Sequence, residues 1–279
     1  MSMSAVRQKI LVFIPAYRCE AQITRVIDQF DAEVQALVDT VMVVDNRSPD
    51  QTLAAAIERG REKLTGCNFI AWKNADNYGL GGSHKVAFRY AIENGFDTLV
   101  VLHGDDQGDI HDLIPQLQAG AEQQVDCLLG ARFMQGSQLK GYSWFRTTGN
   151  RVYNGFFSLA TLRSVYDLGS GLNLYRLNAF RDFYYKPFPD DLTFNYVMLL
   201  GSFQRKQAVR FFPISWREDD QISNVRLFRQ AFKVLALLAW YFVRRGAFLT
   251  SEMREKPFDH YTGTVEFSQP AASRGSSEA

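Results

Sequence analysis

The sequence predicts an α/β fold built on a mostly parallel sheet with helices on both faces. Strand-like and helix-like patterns alternate through the first half of the 279 residues, the succession that right-handed βαβ units require. Residues 99–102, Leu-Val-Val-Leu, form a short continuous apolar run of the kind a parallel sheet buries on both faces. That run stops abruptly at His103, Gly104, Asp105, Asp106 and Gln107. Ligands of open α/β sheets sit beyond the carboxyl ends of the strands, so carboxylates placed there are positioned to hold a cation and the phosphates it carries.

Residues 9–14 read as the first strand, ended by Pro15-Ala16-Tyr17 because proline cannot donate to a central ladder. Glu20 opens a helix in which Ile23, Val26, Ile27, Phe30, Val34, Leu37 and Val38 recur at spacings of three and four, one apolar stripe against a sheet. Residues 41–44 are the next strand and run into Asp45-Asn46-Arg47-Ser48-Pro49-Asp50, where Ser48 or Asp50 can cap a helix through Ile57. Residues 68–72 make a third strand. A glycine-rich turn over 74–83 then feeds a helix from His84 to Glu93, followed by the central strand. Beyond Gln107 the pattern gives a helix over 110–117 and a short strand over 127–129 ending in Gly130-Ala131-Arg132-Phe133. An aromatic helix over 144–165, a loop from Asp167 to Leu174, a helix over 191–203 and a strand over 209–214 complete the main domain. The expected organisation is a main domain over 1–223, a helical extension over 224–258, and a tail over 259–279 whose Ser, Ala and Gly content predicts disorder.

With 46% hydrophobic and 22% charged residues, the chain can bury one substantial core but is short for two enzyme domains. A net charge of +1 lacks the basic excess of a nucleic-acid binder. The basic excess is local, between residues 201 and 256, and can face anionic lipid or phosphate. Cys19, Cys67 and Cys127 are odd in number and widely spaced, which fits a reducing compartment. The apolar run 10–14 is too short for a signal peptide and ends in Pro15, so a cytoplasmic location is expected. Gly79-Leu80-Gly81-Gly82-Ser83-His84 comes too late for a dinucleotide fingerprint and lacks its third glycine, and no Walker lysine motif is present. The loop after Ile14 also lacks the glycine-rich phosphate loop and lysine of a sugar nucleotidyltransferase.

The loops taken together resemble one family. Pro15-Ala16-Tyr17 with Glu20 resembles the opening Pro-x-Tyr/Asn-x-Glu signature of the family-two inverting glycosyltransferases of the GT-A fold, and Val43-Val44-Asp45-Asn46-Arg47-Ser48-Pro49-Asp50 resembles their Val-Val-Asp-Asp-x-Ser-x-Asp. Asn77-Tyr78-Gly79-Leu80-Gly81-Gly82, the Asp105 and Gln107 pair, Gly130-Ala131-Arg132-Phe133, and Asp167 with Ser170-Gly171 follow in the family's order at similar separations. The similarity is to the dolichyl or polyprenyl phosphate sugar transferase branch and covers residues 8–230.

That resemblance implies a nucleotide-diphosphate-sugar donor. Pro15, Tyr17, Glu20, Asp45, Asn46 and Ser48 would contact base and ribose, and Asn77, Gly81 and Gly82 would lie beside the nucleotide, where glycine lets the backbone approach. Asp105 would ligate magnesium or manganese, and Gln107 would orient the acceptor side. Where most members carry the first Asp of Asp-x-Asp, this chain has His103. An imidazole there is a second candidate metal ligand or a hydrogen-bond donor to ribose or phosphate, although hard magnesium prefers oxygen. Asn173 likewise stands where this branch would carry a basic residue.

The implied reaction is an inverting displacement in which the cation, assisted by Arg132 and Arg217, neutralises charge building on the leaving diphosphate. A lipid monophosphate, with a second pKa of about 6, is already anionic and needs no strong base. A sugar hydroxyl needs one, and Asp191 beside Asp190, or Asp167, is the candidate. The segment 224–246 begins with Arg226, Arg229 and Lys233, turns wholly apolar over 234–243 and ends in Arg244-Arg245. It is too short to span a bilayer, which takes about 20 residues. With Trp240 and Tyr241 inside it, it reads as a helix at an anionic lipid interface, peripheral on the inner face of the cytoplasmic membrane. A buried packing helix or a homodimer contact is the alternative. The expected function is sugar transfer to a polyprenyl phosphate or lipid-linked glycan in envelope glycan biosynthesis; the alternatives are transfer to a soluble sugar hydroxyl and an inactive nucleotide-sugar binder.

Overall fold

A computed structural model describes residues 8–218 and 227–272, with side chains in the second stretch from Phe232 onward. Arg226, the side chain of Arg229 and the end of the predicted tail, 273–279, lie outside the described residues.

Four parallel strands, β1 (Ile10–Ala16), β2 (Thr40–Asp45), β3 (Asn68–Asn74) and β4 (Thr98–Leu102), stand in the order β3-β2-β1-β4. Their side chains alternate between two cores because successive residues of a strand face opposite sides. Leu11, Phe13, Met42, Val44, Leu99 and Val101 enter one core, which also takes α4 (Gly79–Glu93) and α8 (Phe194–Gln204). Val12, Ile14, Val41, Val43, Val100 and Leu102 enter the other, with α1 (Glu20–Asp28) and α3 (Thr52–Lys63). The helix expected from Glu20 to Val38 is broken, because Asp31 caps a separate α2 (Ala32–Leu37) by accepting from Val34 N–H at 3.0 Å.

Past β4 come two short helices, α5 (Ile114–Gln118) and α6 (Ala121–Gln124), and the sheet extends as β4-β7-β5-β8. Here β5 (Cys127–Ala131) and β8 (Val209–Pro213) are mutually parallel, and β7 (Leu172–Arg176) runs antiparallel between β4 and β5. The predicted loop into Leu174 is therefore half strand. Two short strands, β6 (Gln138–Lys140) and β9 (Ser215–Arg217), form a separate ribbon.

The C-terminal segments correct the predicted organisation. Residues 263–269, assigned above to a disordered tail, form β10 (Gly263–Gln269), paired antiparallel to the outer edge of β3. Val265 and Phe267 alternate with polar neighbours, and Phe267 stacks near Phe69 at 5.9 Å, enough to hold an edge strand. The helix α9 (Leu227–Val243) buries Val234, Leu237, Leu238 and Tyr241 in the same core as α4 and α8, beside α7 (Trp144–Thr161). The described parts of the extension and tail, residues 227–272, thus pack onto the main domain.

Candidate active site

Because β1, β2, β4 and β5 run one way and β7 the other, the motif loops collect at one edge of the sheet. The register pairs Ala16 with Asp45, Asp45 with Lys73, and Leu102 with Leu172. Pro15, Asp45, His103, Asp105, Arg132 and Gly171 thereby share that edge.

Asp105 and Asp106 diverge, as neighbours at a strand end must. Asp106, at a left-handed φ of 62°, turns its buried carboxylate away. Arg25 Nε donates to it at 2.6 Å, Gln29 Nε2 at 3.2 Å, and Arg217 both reaches its carboxylate and donates through Nε to its carbonyl at 2.7 Å. Asp106 and Arg217 are an anchor for the loop, and neither replaces the missing first aspartate. Asp105 stays at the mouth, its Oδ1 accepting from Gln107 N–H at 3.3 Å. Burial pushes its carboxyl up to about 6 against the pull of the Gln107 amide. Gln107 is itself fixed through its carbonyl, which accepts from Arg217 N–H at 3.0 Å.

A half-buried carboxylate is a hard oxygen donor of the kind magnesium or manganese prefers. Among the described residues no cluster of three or more His, Cys, Asp or Glu surrounds it. Asp105 is the carboxylate at this edge that could hold a divalent cation. His103 donates its backbone N–H to Gly171 at 2.9 Å, and its Nε2 is buried without a partner. Burial, reinforced by Arg132, holds its imidazole down at about 4, so the ring is neutral. Gly171 is required beside it, since a Cβ there would lie 2.9 Å from the imidazole.

Arg132 is a fixed cation. Its guanidinium grips Asp167 through both arms at 2.7 and 2.9 Å, its own N–H donates to the same carboxylate at 2.9 Å, and it lies 4.9 Å over the Trp216 ring. Burial opposes its charge, but Asp167 outweighs burial and the guanidinium is held above its ordinary value. Asp167 is consumed in this pair.

The predicted nucleotide loops show a second purpose. Asp45 is buried and accepts from Ser48 N–H at 3.2 Å, Ser48 Oγ accepts from Arg18 N–H at 3.1 Å, and Glu20 accepts from Gln51 N–H at 3.2 Å. Asn46 accepts from Asn74 at 3.1 Å and from Tyr78 N–H at 2.8 Å, and donates to Asn77 at 2.8 Å. Glu20, Ser48, Asn46 and Asn77 thus tie the ends of β1, β2 and β3 together, while Pro15 and the exposed Tyr17 line the rim.

Gly81 and Gly82 depart furthest from expectation. The predicted turn is already helix from Gly79, and the two glycines face the protein. A Cβ on Gly81 would meet the Pro189 carbonyl at 2.3 Å, one on Gly82 the Tyr78 side chain at 2.5 Å, and Gly81 N–H donates to the Asp190 carbonyl at 2.8 Å. Close helix-to-loop packing accounts for both.

The acidic pair is also occupied. Lys85, buried on α4, donates to Asp190 at 2.6 Å and to the Phe188 carbonyl at 2.5 Å, and Tyr261 OH donates to Asp190 at 2.8 Å. Asp191 caps the turn into α8, accepting from Thr193 N–H at 2.8 Å, and ion-pairs with Lys233 of α9. Despite burial, the Lys233 and Thr193 bonds hold its carboxyl below the ordinary range. Sequence reasoning missed Lys85 and Tyr261, which lie 176 residues apart; a lysine among Val86, Ala87 and Phe88 is the one local hint that it is buried.

The glycosyl transferase family 2 profile matches residues 11–183, more than half of the chain. The chain belongs to glycosyl transferase family 2. Among the relatives of this family 2 member is the dolichol-phosphate mannosyltransferase of Pyrococcus furiosus, 22% identical over 83% of this chain and 64% of that protein. The undecaprenyl-phosphate mannosyltransferase of Micrococcus luteus is 26% identical over 62% and 68%, and the undecaprenyl-phosphate 4-deoxy-4-formamido-L-arabinose transferase of Proteus mirabilis 29% over 60% and 49%. The chain thus spans about half to two thirds of the length of these relatives. Glucosyl-3-phosphoglycerate synthase from Mycobacterium tuberculosis, solved with Mn2+, UDP-glucose and glycerol 3-phosphate, superposes with a TM-score of 0.59 at 17% identity, covering 84% of this chain and 80% of that one. This family 2 member has the GT-A fold, as its sequence predicts.

Proposed function

We propose that this protein transfers a sugar from a nucleotide-diphosphate donor to the phosphate of a polyprenyl lipid. The observation that carries the choice of acceptor is that Asp167, Asp190 and Asp191, the carboxylates able to act as a base, are each held in an ion pair. A carboxylate held by a cation is a poor proton acceptor, and an acceptor that is already a dianion needs none. The names of the relatives point to the same acceptor class.

In this reading Pro15, Tyr17 and Asp45 face the base and ribose, and His103 offers the neutral ring that replaces a carboxylate beside them. Asp105 holds magnesium or manganese, which supplies charge neutralisation at the diphosphate. Arg132, already aligned by Asp167, adds a cation that needs no reorganisation as negative charge develops. The acceptor phosphate oxygen forms the new bond to the anomeric carbon as the donor's diphosphate oxygen departs with the bonding pair, which inverts the centre. Gln107 borders the acceptor side.

The proposed membrane contact is supported by the outer faces of α7 and α9, which pack together. Phe145, Val152, Phe156 and Leu159 form an exposed stripe on α7, and Phe232, Leu235, Phe242 and Val243 one on α9, with Arg244 and Arg245 exposed at its end. No helix of the described residues is long and apolar enough to cross a membrane. Paired apolar stripes of this kind suit a surface that rests in the headgroup region of an anionic leaflet.

The test is incubation with manganese, UDP-, GDP- and dTDP-sugars, and either undecaprenyl phosphate, dolichyl phosphate or 3-phosphoglycerate. Sugar-labelled polyprenyl phosphate is the expected product. Transfer to phosphoglycerate alone, or donor binding without turnover of any acceptor, would overturn the assignment.

A further inference from the structure

We infer that a groove beside α7 is a binding site for the phosphate headgroup of an anionic membrane lipid, formed by Arg163, Ser164 and Arg210 over an aromatic floor. The groove is a shallow, open one of about 390 Å³ against β8, the outer strand of the sheet. Phe203, Tyr166 and Phe211 make its walls, with Tyr166 and Phe211 edge to face at 5.6 Å. Among the described residues no carboxylate lines it, and its two guanidinium groups make that lining positive. Arg163 lies 5.2 Å over the Phe203 ring, which orients the guanidinium plane without neutralising it. Arg210 makes a 3.4 Å bond to the neutral Gln124. Two guanidinium forks and a hydroxyl suit the oxygens of a phosphate diester.

What selects a lipid is the residue next to the groove. The helix α7 ends at Leu162, which occupies the left-handed cap position at φ 54° and is 87% exposed. Glycine is the default at such a cap, and a side chain there is strained. A leucine that is both strained and solvated gains nothing in water. Together with Leu159, 74% exposed one turn earlier, it gains by entering acyl chains while Arg163, the next residue, meets the headgroup. The same arrangement seats the protein with β8 toward the bilayer. This site rests on the membrane contact proposed above and adds to it a defined headgroup position.

Isothermal titration with water-soluble dihexanoyl phosphatidylglycerol tests the groove without a bilayer, alongside inorganic phosphate and dihexanoyl phosphatidylcholine. Wild-type protein should bind the anionic lipid. Arg163→Gln with Arg210→Gln, the first exposed and the second half-buried, should weaken that binding about tenfold or more while the melting temperature stays unchanged. Leu162→Gly should weaken lipid binding and raise thermal stability. Equal binding by the double variant, equal affinity for the zwitterionic lipid, or inorganic phosphate binding as tightly as the lipid would each overturn the site. Loss of sugar transfer to polyprenyl phosphate by the wild type is read in a separate assay, so failure of the acceptor assignment is distinguishable from failure of the groove.

Discussion

Asp105 at the end of β4 and His84 on α4 carry the two predictions at the scale of single residues. Asp105 stands at a strand end with its carboxylate directed to the mouth, so Asp105→Asn should abolish transfer while leaving the melting temperature within a degree or two, as checked by activity and calorimetry. A folded variant with near-normal turnover at saturating metal would remove Asp105 from the site. His84, one turn into α4, lies between Phe13 at 5.2 Å and Phe194 at 5.1 Å and donates through Nδ1 to the Leu80 carbonyl at 2.8 Å. Its Nε2 is buried without a partner, and burial, with His103 adding to it, pushes its pKa down to about 3. Between the unfolded value of about 6.5 and that folded value, the unfolded chain takes up a proton the native one refuses. Stability is thus full above pH 6.5 and is lost as pH falls toward 3, at up to about 1.4 kcal/mol per pH unit. His84→Asn keeps the donor to Leu80 and removes the titration, so it should flatten the fall in melting temperature between pH 7 and pH 5; an unchanged slope would place the acid sensitivity elsewhere.

The elements divide by whether their partners are local in sequence. The first four strands were legible because each carries a short apolar run, whereas the break between α1 and α2 was not, and the polar end of β4 was legible because such a strand must end in polar residues at the ligand edge. The loop residues were legible as a set, but Gly81, Gly82, Glu20 and Ser48 bond to partners that no local pattern reveals. The strand β10 was hidden for the same reason: its short alternation around Val265 and Phe267 lies beside a tail of small polar residues, and its partner is β3. The clearest non-local unit is Lys85 with Asp190 and Tyr261, which joins α4, the loop before α8 and the segment before β10. Lys85→Met leaves a partly exposed Asp190 with only the tyrosine, and should cost about 2 kcal/mol in urea denaturation, less than the loss of one partner from a fully buried pair. A loss within experimental error would show that the three elements hold together without the ion pair.

For the whole molecule, the proposed acceptor makes orientation on a membrane the property to test, because under that proposal a lipid phosphate would have to reach Asp105 and Arg132 from a bilayer. Phe156→Gln, Leu159→Gln and Phe242→Gln remove apolar side chains that are at least half exposed, so the fold should survive. Cosedimentation with phosphatidylglycerol vesicles should fall tenfold or more, since about 0.8 kcal/mol accompanies each methylene entering the acyl region. Binding that survives these changes would return α9 to a purely packing role. The sheet carries a different consequence, which concerns its assembly. Gly263 pairs with Asn74, and Gln269 with Phe69, so the edge of β3 waits open while nearly two hundred further residues are made. At ribosomal rates of about 5–20 residues per second that interval lasts on the order of ten seconds or more. During it an apolar edge strand is available to any other nascent chain, and the yield of active protein is set by how well that edge is shielded until its own strand arrives.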